Sequence, residues 1–328
     1  MQPAELCATS EKTPLMLINL LPDFLAVLQS ADRVAAYERY FAANKTLLTA
    51  YWDNYVVDPT GPHVGEIIRK TVAADRGDLL GVLDREPLVL RARQTLAQAM
   101  STLEITEEPD VVLMVGVGAA NAGELVIDGR PVAFVCLEHF TGTRNPDTDS
   151  LGLDPALIPP WLAHEIAHGV RYTAKDSQSD MKTLVSENGG YYSFWDTGKR
   201  ASLRELLVNE GLAAHAAQAV CSGYAAWEYL GYGRRQYARI RELEPLLART
   251  IGADLDRNGL GLRLRWLSDG TSEDARTIER HVIPERAGYF LGHSLVAPAV
   301  AQRGIAWALR ASTKELMEVG RKSAAVSA

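Results

Sequence analysis

The feature that most limits how this chain folds is the five-residue run HEIAH at positions 164–168. Two histidines four residues apart face the same way on an α-helix, one turn apart. That spacing lets both imidazoles bind one zinc ion in tetrahedral geometry. Glu165, between them, is rotated off the histidine face but stays near the metal, where it can take a proton from zinc-bound water and pass it to a leaving amine. Zinc lowers the pKa of such a water to roughly 7. Leu162, Ile166 and Val170 give the helix a separate apolar stripe, and Pro159-Pro160 suits its first turn.

A catalytic zinc needs a third protein ligand and an open position. A third histidine six residues past the second is ruled out, because Ala174 stands there and Arg171 replaces the glycine of that pattern. Glu210, in LLVNEGLAAHAA, is the better candidate, since Gly211, Ala213 and Ala214 leave room for close approach. Glu205 and His215 compete with it on the same segment. Glu165 and His168 also read as half of a di-iron ExxH pair, but the sequence holds no second ExxH to complete it.

The segments around the motif set the fold class. Helical spacing runs over 21–43, 64–75 and 88–103. VVLMVGV (111–117), ELVI (124–127) and PVAFVCLEHF (131–140) read as strands, with a tight hairpin at Asp128-Gly129. A polar loop over 141–160 leads into the HEIAH helix. Further helices are expected over 203–228, 234–250, 286–303 and 313–319, the last opened by a capping box from Ser312 to Glu315. The order helices, sheet, helices predicts an α+β fold. It divides into an N-terminal helical region (1–105), a sheet with the metal helix (106–175) and a helical lobe with the third ligand (176–328), together one catalytic unit.

Composition narrows the partners. A formal net charge of −7 gives no general attraction to nucleic acid or to an anionic membrane. Cys7, Cys136 and Cys221 form no CxxC pair, which fits a reducing compartment. MQPAELCATSEK has no basic leader character, and the apolar PLMLINLL after it is too short to span a bilayer, so a cytoplasmic protein is expected. Two weak motifs are discounted. Asp254, Asp256 and Asn258 begin a calcium-loop pattern, but Arg265 occupies its twelfth position. Gly116-Val-Gly118 lacks the third glycine of a dinucleotide fingerprint, with Asn121 in its place.

Taken in order, HEIAH (164–168), EGLA (210–213) and GYFLG (288–292) resemble the gluzincin peptidases. More narrowly, they are similar to a bacterial family of predicted zinc-dependent proteases carrying HExxH, EGLA and GYxxG. The resemblance spans roughly residues 110–320. It implies a zincin-like α+β fold with a small antiparallel or mixed sheet followed by a mainly helical C-terminal lobe. It also implies one Zn2+ on His164, His168 and Glu210, Glu165 as general base, and a peptide or protein substrate. Tyrosine donors of several gluzincins make Tyr289 the first choice for stabilising the oxyanion, with His293 second and Arg286 suited to a substrate carboxylate. By the same likeness PVAFVCLEHF would bind the substrate backbone by strand addition. Glu138 and His139 at its end would then line the cleft or serve as ordinary edge-strand polar groups. One departure is the 41-residue connection between His168 and Glu210. Its extra length, 176–199, contains GGYYSFW, either a lid or a packed connector. A non-catalytic zinc-binding regulatory protein and a zinc hydrolase of a non-peptide amide are the alternatives. No oligomeric state is specified.

Overall fold

Residues 17–83 and 87–326 are described by the computed structural model; Cys7 and the segment MQPAELCATSEK lie outside them. The valine-rich segments pair as expected, but into a mixed sheet. β1 (Leu17–Asn19), β2 (Asp110–Met114), β3 (Ala122–Ile127) and β4 (Arg130–Cys136) lie in the order β1-β2-β4-β3. β1, β2 and β4 are parallel, and β3 runs antiparallel to β4. Asp128 and Gly129 join β3 to β4 with φ of 51° and 76°, the positive values a two-residue type I′ turn requires.

This order corrects one expectation. β4 is paired on both sides, so the 131–140 segment has no free edge for strand addition. The sheet's edges are β1 and, next to β4, β3. Glu138 and His139 lie beyond the sheet altogether, in a 3-10 turn at Leu137–His139.

Upstream of β2 come α1 (Leu21–Gln29), α2 (Arg33–Ala43), α3 (Lys45–Tyr55), α4 (Val64–Ala73), α5 (Gly77–Leu83) and α6 (Leu88–Thr102). The continuous helix expected over 21–43 is two helices. The Asp32 carboxylate accepts the Ala35 N–H at 3.0 Å and starts α2 afresh. After the sheet the chain forms α7 (Ile158–Thr173), α8 (Asp180–Glu187), α9 (Phe194–Arg200), α10 (Leu203–Val220), α11 (Ala226–Tyr229), α12 (Arg234–Gly252), α13 (Leu260–Leu267) and α14 (Glu273–Arg276). A small hairpin of β5 (Thr277–Ile278) and β6 (His281–Val282) precedes α15 (Ala287–Arg303), α16 (Ile305–Arg310) and α17 (Thr313–Val326). The helix expected over 203–228 stops at Val220, and Gly223, at φ 97°, carries the chain away. Among the described residues, no helix is long and apolar enough to cross a membrane.

The HEIAH helix α7 packs between the sheet and α10, and α10 packs in turn on α15. Small residues permit both contacts. A Cβ on Gly169 would stand 2.8 Å from the Pro131 side chain, so glycine lets α7 settle onto β4. A methyl on Gly211 would overlap the Gly292 carbonyl, and one on Gly292 would overlap the Leu207 carbonyl. Thus the glycines of EGLA and GYFLG are two halves of one backbone-to-backbone helix crossing. Gly211 serves that crossing, and the closeness of Glu210 to the histidines follows from how α10 then lies against α7.

Two apolar cores meet at these helices. One joins the N-terminal helices, the sheet, α6 and α7 to α10, α15, α16 and α17. The other joins Tyr172, α8, α12 and α13 to α10 and α15. α10 contributes to both, so its position is fixed from two sides.

Candidate metal centre

His164, His168 and Glu210 converge between α7 and α10. One ligating atom from each lies within 4.8 Å of the others, and all three residues are buried. The Glu210 Oε2 is 3.3 Å from His164 Nε2 and 3.5 Å from His168 Nε2. The two imidazoles are 4.9 Å apart at 78° to each other. Tetrahedral zinc with ligands at about 2.0–2.1 Å holds neighbouring ligand atoms about 3.3–3.4 Å apart. The donor set therefore fits such an ion in element type and in spacing. Glu205 and His215, the competing ligands, go elsewhere. Glu205 pairs with Arg171 at 2.6 Å and accepts from Thr313, and His215 Nε2 meets the His293 carbonyl at 3.0 Å.

Charges within the site are strongly displaced from their usual balance. Burial acts to raise the Glu210 carboxyl, but His168 and His164 outweigh it and hold it below the ordinary carboxylate range. Burial likewise acts to lower His168, yet Glu210, Glu124 and Glu165 push it up to about 10. His164 is held down by burial. Burial pushes Glu165 well above the usual carboxyl range; His168 opposes this, and Glu124 and Glu210 reinforce it.

Glu124 of β3 is a site residue that the motifs do not disclose. Its carboxylate forms a second close group with Glu165 and His168, again with ligating atoms within 4.8 Å. Tyr172 donates to its Oε1 at 3.0 Å and Tyr55 lies 3.2 Å from its Oε2. Asn209, the neighbour of Glu210, donates to the Tyr172 hydroxyl at 2.8 Å. The available signal is a single acid inside an apolar strand, AGELVI, in the hairpin that precedes the HEIAH helix. A lone charge in a buried strand calls for a partner.

The group of His164, His168 and Glu210 opens on a cavity of about 430 Å³. Tyr289 lines it, its ring 6.2 Å from that of His164, and the Arg286 guanidinium lies 4.3 Å over the Tyr289 ring. Burial, together with the Glu210 charge, pushes the Tyr289 hydroxyl well above its usual range, so it is a donor. His293 is not brought to the cavity, which corrects its candidacy. It stacks on His215 with 3.8 Å between rings and its Nε2 meets Gln218 at 3.2 Å. His293 lies one turn on from Tyr289 and next to Gly292, where α15 meets α10.

The two polar residues after β4 part company. His139 lines the cavity, its Nδ1 accepting from Leu151 N–H at 3.2 Å. Glu138 accepts from the amides of Gly116 and Gly118 at 2.9 and 3.4 Å and faces a separate, smaller pocket. The same contacts explain why those glycines form no dinucleotide loop. Asp254 and Asp256 are paired with Arg257 and Arg204, as suits a polar turn.

The 176–199 connection is packed at Tyr192 and reaches the cavity wall at Phe194 and Trp195. Tyr192 is buried, stacked on Tyr172 at 5.1 Å and bonded to Arg263. Phe194 and Trp195 lie on the cavity wall, tied to α3 through Phe194 N–H to Asn54 and Trp195 Nε1 to the Asp53 carbonyl.

Compared with known proteins, the chain matches no family model, no curated protein and no solved structure.

Proposed function

We propose that this protein is a zinc-dependent peptidase with a zincin-like fold, of the gluzincin type that its motifs resemble. The observation that carries the reading is the convergence of His164, His168 and Glu210 on the wall of an open cavity, with the Glu165 carboxylate beside them. Zinc bound by these three would polarise a substrate carbonyl and acidify a water. Burial raises the Glu165 carboxyl above its usual range, the direction that suits a base which later returns the proton as an acid. Tyr289 donates its hydroxyl to the oxyanion that develops on the carbonyl oxygen, and Arg286, stacked on its ring, orients it. A cytoplasmic location belongs to the same reading and is supported by the free thiols of Cys136 and Cys221.

Glu165→Gln tests this reading. The variant should retain one zinc per chain by elemental analysis and lose peptide turnover by at least about 1000-fold, more than general base catalysis alone contributes to many enzymes. Wild-type-like turnover in that variant would reject the mechanism.

A further inference from the structure

Away from His164 and His168 the chain carries a second pair of histidines, one on α10 and one on α15. His215 and His293 stack ring on ring, 3.8 Å between centroids and 7° from parallel. Both are half-buried. Beside them the two helix backbones touch. A methyl on Gly211 would lie 2.2 Å from the Gly292 carbonyl oxygen and 2.7 Å from the His293 nitrogen. The rings therefore pack where the helices have no slack.

Hydrogen bonds fix which nitrogens carry protons. His215 Nε2 lies 3.0 Å from the His293 carbonyl, which accepts and cannot donate, so this nitrogen is protonated. His293 Nε2 lies 3.2 Å from Gln218 Oε1, also an acceptor, and is protonated too. Each ring is then neutral, with Nδ1 as its lone-pair nitrogen. A proton added to either Nδ1 charges one ring against the other, and a second proton sets two like charges at stacking distance.

No carboxylate among the described residues offsets such a charge. Burial is the main cause that holds both imidazoles below their ordinary range, His293 down to about 4, and His215 is the one charged group that adds to it at His293. The acids on the neighbouring helices are committed elsewhere. Glu205 and Glu210 of α10 meet residues of α7, Glu228 of α11 takes the Ala225 amide, and Glu315 of α17 takes that of Ser312. Arg303 at the end of α15 lies over Trp307 of α16. Neither Lys314 nor Glu318 of α17, nor any charged side chain of α6, α7, α12, α13 or α16, acts on either ring.

From this stack at the helix crossing we infer that His215 and His293 form an acid-sensitive clasp between α10 and α15. Neutral, the pair closes the crossing against which α10, with Glu210, is seated; it takes up a proton by letting that crossing open. The inference stands apart from the peptidase reading, since neither ring lines the cavity. Its direction follows from burial. An unfolded chain protonates a histidine near pH 6.5, while the folded chain resists at His293 to about pH 4, so stability is lost as the pH falls through that interval.

Amide hydrogen exchange on the full chain tests this, with metal chelated so that His168 contributes alike throughout. After correction for intrinsic exchange rates, protection of the α10 and α15 amides should fall between about pH 7 and pH 5 in the wild type. The fall should be at least about tenfold greater than in His293→Phe, which keeps a stacking ring that cannot ionise. Equal falls in the two proteins would overturn the inference. Should His293→Phe not fold, NMR titration of the wild-type imidazoles decides. A His293 midpoint below about pH 5.5 upholds the clasp, and any higher midpoint overturns it.

Discussion

Helix α10 sends two buried glutamates across to α7, and they do different work. Glu205 meets Arg171 at 2.6 Å, with Thr313 as a further donor, in a closed ion pair with almost no exposure. Glu210, five residues on, meets His164 and His168 at 3.3 and 3.5 Å beside an open cavity. Arginine has donors but no lone pair to offer a metal, so the first pair is complete as it stands. Imidazole offers a lone pair, so the second is a convergent donor set. Burial of a carboxylate therefore does not identify a site here; the chemistry of its partner does.

Cutting each glutamate in turn sharpens the contrast most. Glu210→Ala should weaken zinc binding by more than about 100-fold, since even partners that merely hold a ligand cost about 10–100-fold. Glu205→Ala should leave zinc affinity within a few-fold and cost about 3–5 kcal/mol of stability by stranding the Arg171 charge. Chelator competition and denaturant unfolding on both variants separate the two outcomes; zinc loss in Glu205→Ala would erase the distinction. Tyr289→Phe should keep zinc and lower kcat by about 100-fold, in the range for loss of one oxyanion donor. A change confined to KM would make Tyr289 a binding residue only.

Acidity in the Glu210 group bears on metal binding. In the metal-free protein Glu210 is held ionised and His164 is held neutral, while His168 is pushed up to about 10. Zinc needs neutral imidazole, so binding releases one proton, from His168, and affinity should rise about tenfold per pH unit below pH 10. Chelator competition at about pH 6, 7 and 8 measures the slope; a flat profile would mean that His168 is already neutral in the metal-free protein. A smaller effect is expected when the structural pair is replaced as a unit. Arg171→Met with Glu205→Leu should recover stability to within about 1 kcal/mol of the wild type, because a buried ion pair and an apolar pair often balance. Smallest of all, His293→Ala should change kcat/KM less than about twofold, since the ring lies against His215 and Gln218. A large loss would return His293 to the site.

What could be read in advance follows from how local each signal is. HEIAH and the strands at 111–117, 124–127 and 131–140 are short-range patterns, and they sit on a helix and in a sheet as expected. Glu210 emerged as a ligand candidate from small neighbours, although Gly211 is small because α15 crosses there. Strand order is not local, so nothing in PVAFVCLEHF told that β4 is central and that β3 holds an edge. Glu124 was hidden for the same reason. Its importance comes from tyrosines at positions 55 and 172 and from a chain segment near 192, all brought together only by folding. The helices α8 and α9 were legible but unread: Ser179 and Ser193 cap them, accepting the N–H groups of Lys182 and Asp196.

Anomalous diffraction at the zinc edge, from crystals of the metal-loaded wild-type protein, tests the assignment of the metal centre most directly. One peak bonded by the Nε2 atoms of His164 and His168 and by the Glu210 carboxylate is the expected result. A peak held by other residues, with any of these three side chains left unligated, would contradict it.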